Sequence, residues 1–447
     1  LQEIGVAPET GAVAAAAPGT AFGPEPETAA ARSGAAGPVP VLVVGGSGYV
    51  AGEALRLLAG HPRLLVAGVV SESQAGQPLA AAFPHLASAY PDVRFHAVEE
   101  LPRLIDLAAE VAAAGAALAG GSATAGTSSA SSSASASGGA GAASAGQLAA
   151  LCAAPHGAAA KLVDLLLASA ERAGARLRVV DLSADFRFAA AADYENVYGH
   201  AHGAPDRLAG FRCALPEHAD LAFGTAAANA ADAPPPLAAR EHVAHPGCFP
   251  TAVLLAAVPL LRLGWIEPSL QVVAVTGSTG AGRTPSPTTH HPARRSNLFA
   301  YSPLAHRHEP EMRGLAAAAV GAPVAIHFVP QAGPFARGIY ATVQARLLRP
   351  ALAGHDAEQA AAVRADLERF YAAAPFVDVL AEPPRLQDVV GSNRCRLGIA
   401  VAGDRLVAFS AIDNLTKGAA GGGIQWLNRL LGFPETAGLT QPGIGWL

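Results

Sequence analysis

Cys248 lies in HPGCFPTAVLLAAV, between a glycine and an aromatic residue, where an apolar helix begins. The thiolate is the nucleophilic form of cysteine, and the partial positive charge of a helix N-terminus lowers a thiol pKa. Gly247 permits a close approach, Pro250 suits a first helical turn, and the apolar run from Ala252 anchors the helix. Cys248 is therefore a candidate catalytic nucleophile. The competing reading, a buried structural cysteine, fits Cys152 and Cys395 inside their expected strands, while Cys213 beside Arg212 is open to either. Thiol catalysis also needs a proton carrier, and HHPARRSNLFAYSPLAHRHEPEM offers His290, His291, His306, His308 and Glu311. His308 and Glu311 are three apart, so on a starting helix the carboxylate could orient the imidazole. A solvated His/Arg face is the competing possibility. No metal is expected, because His306 and His308 flank an arginine and no HExxH or CxxC set accompanies them.

A second chemical signal is VLVVGGSGYVAGEAL, in which Gly45, Gly48 and Ala51 keep a G-x-x-G-x-x-A spacing between a strand and a helix. Such a turn brings backbone N–H groups and a helix N-terminus up to a pyrophosphate. Gly45, Ser47, Gly48, Tyr49 and Ala51 are thus candidate cofactor contacts, against the simpler possibility of a plain strand-to-helix turn. The next strand ends in VVSESQAG, where the hydroxyls of Ser71 and Ser73 could donate to a 2′-phosphate. That favours NADPH, and Glu72 leaves NAD open.

The elements around these residues alternate. VPVLVV, LLVAGVV, LAALCAAP and RLRVVDLS read as buried strands, separated by EALRLLAGH and AAAKLVDLLLASAERAG as helices, which predicts a parallel sheet covered on both faces. After Cys248 the pattern becomes strand-rich: SLQVVAVTG, VAIHFVP, GIYATVQARLL, RCRLGIAVA and RLVAFSAID, with a helix in HDAEQAAAVRADLERFYAAA and another near the C-terminus. The 447 residues exceed one core, so two domains are expected. The expected boundaries are a disordered tail at 1–38, a cofactor domain at 39–245 with a flexible Ala/Ser/Gly insertion at 112–146, a catalytic domain at 246–411 and a returning helix at 412–447. A net charge of −5 without basic runs argues against a nucleic-acid partner. Widely spaced cysteines fit a reducing compartment. Each long apolar run is broken by Arg, His or Pro, so no membrane span is expected. A chain that opens on Leu1 and holds one methionine, Met312, reads as a processed product.

The motifs GGSGYVAGEALRLLAGHP, APHG, VVDLSADFRF, ALPE, HPGCFPTA, GSTGAGR, HRHEPEM, FVPQAGPFARGIYATV, GSN and SAIDNLTKGAAGGGIQWLNRLLGFPETAGL, in this order, resemble the N-acetyl-gamma-glutamyl-phosphate reductase family from Val39 to Leu439, apart from the insertion. The resemblance implies an α/β Rossmann dinucleotide-binding domain joined to an α+β catalytic domain of semialdehyde-dehydrogenase type, with NADPH as cofactor and N-acetyl-glutamyl 5-phosphate as substrate. It implies a thioester on Cys248, proton transfer by His308 with Glu311 orienting it, and His306 as second choice or substrate ligand. Pro155, His156 and Gly157, with Asn414, Lys417 and Gly418, are implied beside the nicotinamide. Ser183, Arg187 and Arg283 are candidates for holding the substrate's carboxylate and phosphate, although each arginine could equally be an ion pair between domains. Two departures stand out. Ala51 occupies the third glycine position, and Gln331 stands where many members carry histidine. The TTHHPARRSNLFAYSP stretch is also similar to lysine-pathway reductases, and the pattern leaves open an aspartate-semialdehyde dehydrogenase or a non-catalytic dinucleotide sensor. The resemblance further implies a homo-oligomer. The N-terminal tail suggests a plastid stroma, with a bacterial cytoplasm as the alternative because the tail is slightly acidic and lacks Arg/Ser character.

Overall fold

A computed structural model describes residues 37–121, 146–221, 241–350 and 354–445. The expected tail lies outside these residues up to position 36, as does most of the expected insertion. Residues 112–121 of that insertion instead continue a helix, Leu101–Gly121, since an alanine-rich run keeps high helical propensity.

The first sheet holds β1 (Val39–Val44), β2 (Leu64–Val70), β3 (Phe95–His96), β4 (Gln147–Cys152), β5 (Arg176–Asp181), β6 (Phe211–Cys213) and β7 (His242–Ala244). Their spatial order is β3-β2-β1-β4-β5-β7-β6, every pair parallel. One face packs Leu42, Val44 and Ala150 against the helices Leu101–Gly121 and Ala159–Arg172. The other packs Val41, Val43, Leu151 and Val180 against the helices Tyr49–Leu58 and Gly421–Leu430. Strands buried on both sides explain the uninterrupted apolar runs in the sequence.

The second sheet holds β8 (Ser269–Thr276), β9 (Phe299–Ala300), β10 (Ala325–Ala332), β11 (Ile339–Arg346), β12 (Val377–Val379), β13 (Cys395–Ala402) and β14 (Arg405–Ile412). Its order is β12-β13-β14-β11-β8-β10-β9 and its pairing is mixed. The apolar helix Cys248–Arg262 is buried between this sheet and the helix Glu309–Val320. Strand order reverses between β1 and β4, and in open parallel sheets ligands bind beyond the carboxyl ends of the strands at such a point.

Candidate active site

Gly45 ends β1 with φ +79°, and a Cβ there would stand 2.4 Å from Ala154 Cα in the loop after β4. Only glycine lets these two loops close the switch point. Gly48, at the N-cap of the helix Tyr49–Leu58, faces open space, and that helix has neither a side-chain cap nor an acidic residue in its first turn. Its N–H groups are therefore turned to an open cradle that suits a pyrophosphate. Ala51 is buried in the helix–sheet packing, Tyr49 is exposed, and Ser47 Oγ lies 3.5 Å from Ser73 Oγ, itself 3.5 Å from Ser71 Oγ.

After β4, Pro155 and His156 are exposed and Gly157 has φ +82°. Asp185 holds this loop: its carboxylate accepts from the N–H groups of Gly157 at 2.9 Å and Ala160 at 2.9 Å, and from Tyr194 Oη at 3.0 Å.

Cys248 begins its helix with Gly247 as N-cap. A Cβ on Gly247 would stand 2.8 Å from His308 Nε2 and 2.8 Å from Arg187 Nη1, so the imidazole and the guanidinium crowd the residue before the thiol. Gly418 closes the other side, since a Cβ there would stand 2.8 Å from Cys248 Cβ. Burial raises the thiol pKa above its usual value, while Arg187 and the Phe249 N–H pull it back down. Burial thus outweighs what Arg187 and the first N–H groups of the helix contribute. The imidazole of His308 is pushed well below its ordinary range by burial, then by Arg187, His306 and Arg307. His306 sits in an aromatic nest of Phe249, Tyr301 and Phe328, and its Nδ1 accepts from the His308 N–H at 3.1 Å.

Several assignments change. Glu311 does not orient His308: its oxygens accept from Gly247 N–H at 2.8 Å and Arg187 Nη1 at 3.1 Å, and His308 Nδ1 is buried without a partner. Arg187 is not a substrate fork, because Nε and Nη2 donate at 3.0 Å to the carbonyls of His245 and Leu182 while Nη1 holds Glu311. Ser183 is closed to substrate; its hydroxyl donates to Asp181 at 2.7 Å and accepts from the Asp185 N–H at 3.0 Å. Lys417 is fully buried, and its ammonium is held by Glu217 and Gln425. Asn414 ties two loops of the second sheet, accepting from Gly338 N–H at 2.6 Å and donating to Thr279 Oγ1 at 3.0 Å. Arg283 reaches the glycine turn rather than the thiol, donating to the Ser47 carbonyl at 3.2 Å. His290 and His291 stand at a separate short helix, His291–Arg294.

Sequence reasoning misses Arg307. It is exposed, makes no hydrogen bond or ion pair among the described residues, and its charge depresses His156, His306 and His308 after the effect of their burial. Its place inside HRH, between the two histidines, is the available signal. Among the described residues no group of His, Cys, Asp and Glu is placed to hold a metal, and no helix is long and apolar enough to cross a membrane.

The family described as semialdehyde dehydrogenase, NAD binding domain, matches residues 40–130, and semialdehyde dehydrogenase, dimerisation domain, matches residues 248–414. An N-acetyl-gamma-glutamyl-phosphate reductase from Streptomyces avermitilis is 36% identical over 91% of this chain and 99% of its own. Those from Rhodospirillum rubrum and Methanopyrus kandleri are each 35% identical, covering 90% and 91% of this chain and 97% and 99% of their own. These microbial relatives lend no support to a plastid address. Among solved structures, aspartate semialdehyde dehydrogenase II from Vibrio cholerae matches with a TM-score of 0.56 at 16% identity over 88% of this chain and 98% of its own. Its counterpart with NADP from Candida albicans matches at 0.50 and 14%, over 88% and 99%. At those identities the likeness shows the fold, whereas relatives at 35–36% identity over almost their whole length show the family. A switch-point cradle for a nicotinamide dinucleotide, a helix-borne thiol and an adjacent imidazole are therefore those of an oxidoreductase, and the chain belongs to the N-acetyl-gamma-glutamyl-phosphate reductase family.

Proposed function

We propose that the protein reduces N-acetyl-L-glutamyl 5-phosphate to N-acetyl-L-glutamate 5-semialdehyde with NADPH, releasing phosphate, through a thioester on Cys248, a step of arginine biosynthesis. The observation that carries this reading is Cys248 at a helix N-terminus, with His308 crowding Gly247 on one side and the Gly418 backbone packed against the thiol's own Cβ. His308, whose ring reaches Gly247 beside the thiol, takes the thiol proton, and the Phe249 N–H stabilises the sulfur anion as it forms. The sulfur attacks the acyl carbonyl, the carbon–oxygen bond to phosphate breaks, and the acyl group remains on Cys248. When bound, NADPH supplies hydride to that carbonyl. His308 then protonates the developing oxyanion and recovers the proton as the carbon–sulfur bond breaks, releasing aldehyde and thiolate. Arg187 and Glu311 act as positioning residues that fix Gly247 and the start of the His308 helix. Arg307, exposed and without an ion pair among the described residues, takes the substrate's anionic end, the role that the sequence motifs offer to Ser183, Arg187 and Arg283.

The open glycine cradle supports a dinucleotide, and the hydroxyls of Ser47, Ser71 and Ser73 support NADPH over NADH. The dimerisation-domain match over residues 248–414 supports a homo-oligomer. The test is NADPH oxidation with N-acetyl-glutamyl 5-phosphate generated by its kinase, with aminoadipyl and aspartyl phosphates as competitors. Oxidation that prefers the first substrate and vanishes in Cys248→Ser is expected. A preference for either competitor would move the substrate assignment to the lysine-pathway or aspartate relatives.

A further inference from the structure

We propose that Arg283, although carried by the second sheet, binds the 2′-phosphate of the dinucleotide held on the first. The inference rests on the NADPH reading and deepens it. After β8 the chain makes a tight loop that is fixed at several points. Ser278 N–H donates to the Phe335 carbonyl at 2.9 Å, Thr279 N–H and Oγ1 donate to the Ala336 carbonyl at 3.0 and 2.7 Å, and Asn414 Nδ2 donates to Thr279 Oγ1 at 3.0 Å. A Cβ on Gly277 would stand 2.4 Å from the Ala336 carbonyl oxygen, and Gly282 adopts φ +86°, so the loop's path depends on its glycines. That path delivers Arg283 across to the other sheet.

There Nη1 donates to the Ser47 carbonyl at 3.2 Å, and the guanidinium lies 5.7 Å from the Phe83 ring centre. Arg283 is exposed and makes no other hydrogen bond or ion pair among the described residues, so four of its five N–H donors remain for a ligand. The Ser47 it touches begins the run of hydroxyls that continues through Ser73 to Ser71 at 3.5 Å steps. Contacts at that length are at the limit of hydrogen bonding, and the hydroxyls can turn to an incoming oxygen. A phosphate dianion set among three hydroxyls needs a countercharge. The segment after β2 supplies none: from Ser71 to Gln77 it holds Glu72 and no lysine or arginine. Arg94, on the neighbouring strand's approach, is bonded to the Gly76 carbonyl at 2.9 Å and does not touch the hydroxyl run. Arg283, brought to the glycine turn from the second sheet, is placed to answer the phosphate, giving that sheet a hold on the cofactor that NADH would not offer.

The test titrates NADPH and NADH, separately and without substrate, into wild-type protein and the Arg283→Ala, Arg283→Lys and Arg94→Ala variants, reading nucleotide fluorescence. Arg283→Ala should raise the Kd for NADPH by roughly 10-fold or more and that for NADH by less than about 2-fold, with Arg283→Lys intermediate and Arg94→Ala near wild type. The rate of Cys248 alkylation, unchanged across the set, reports an intact site. Equal weakening of both nucleotides, or unchanged NADPH binding in Arg283→Ala, would overturn the assignment. Wild-type protein that bound NADH but not NADPH would instead refute the cofactor reading beneath it.

Discussion

Replacing Glu53 with glutamine removes a carboxylate that joins the two sheets. Glu53 lies on the helix after the glycine turn and accepts from Arg56 Nη2 at 2.7 Å, from Arg337 Nη2 at 2.9 Å and from Thr416 Oγ1 at 2.6 Å. Burial alone would raise its pKa, but the hydrogen bonds and charges of Arg56 and Arg337 outweigh it and take the carboxyl from 4.5 down to about 2. A depression of that size corresponds to about 3 kcal/mol of folding stability at neutral pH. Because the folded pKa is the lower one, the contribution is complete above pH 4.5 and is lost as pH falls toward 2. At pH 3 roughly 1.4 kcal/mol should remain. Urea unfolding of wild type and Glu53→Gln at pH 7 and pH 3, followed by tryptophan fluorescence and circular dichroism to check that the transitions coincide, measures the difference directly. The expected deficit of the variant is about 3 kcal/mol at pH 7 and less than half that at pH 3. A deficit equal at both pH values would refute the reasoning, because the carboxylate's charge would then not be what stabilises the join.

Arg187→Met should move the pH midpoint of Cys248 alkylation by iodoacetamide upward and Glu311→Gln should move it downward, since the first charge lowers the thiol pKa and the second raises it. Gly418→Ala should cut kcat by roughly 100-fold with NADPH affinity held within about 2-fold, because the new methyl must displace the thiol's own carbon; steady-state kinetics beside nucleotide titration separate the two. Lys417→Met should cost roughly 3–5 kcal/mol in urea unfolding by stranding Glu217, and the double change with Glu217→Gln should recover much of it. Nucleotide affinity of folded Lys417→Met protein should stay close to wild type.

Much of the fold was legible because its strands and helices carry their burial in their periodicity. β1, β2 and β4 are nearly continuous apolar runs, β5 carries an apolar Val179–Val180 pair between charged residues, and the four form the centre of a parallel sheet. β8, β10, β11, β13 and β14 were likewise readable. The short strands β3, β6, β7, β9 and β12 have two or three residues each, too few to show a period, and they lie at or next to the sheet edges, where pairing is decided by tertiary contact. The end of the Leu101–Gly121 helix was hidden for the opposite reason: alanine and glycine there look the same in a helix as in a linker.

The site was legible where function sits in one short stretch, and illegible where a side chain's role depends on what lies across the fold. The Cys248 helix start and the glycine turn are local, so their geometry follows from adjacent residues. Arginine, lysine and serine carry no such local mark. Arg187 meets Glu311 from 124 positions away, Lys417 meets Glu217 across 200, and each is consumed by that partner. Ser183 is closed by Asp181 and Asp185, two residues either side, through a turn that the sequence SADFRF permits but does not require. Arg283 and Arg307, by contrast, are exposed, and Arg283 spends one donor on the Ser47 carbonyl while Arg307 makes no hydrogen bond among the described residues. A polar residue in a motif can thus serve chemistry or scaffold, and what decides between them is whether the protein has already satisfied its donors. By that criterion Arg283 and Arg307 are the arginines we propose for ligand recognition, while Arg187, Lys417 and Ser183 are bound into the scaffold around Cys248 and His308.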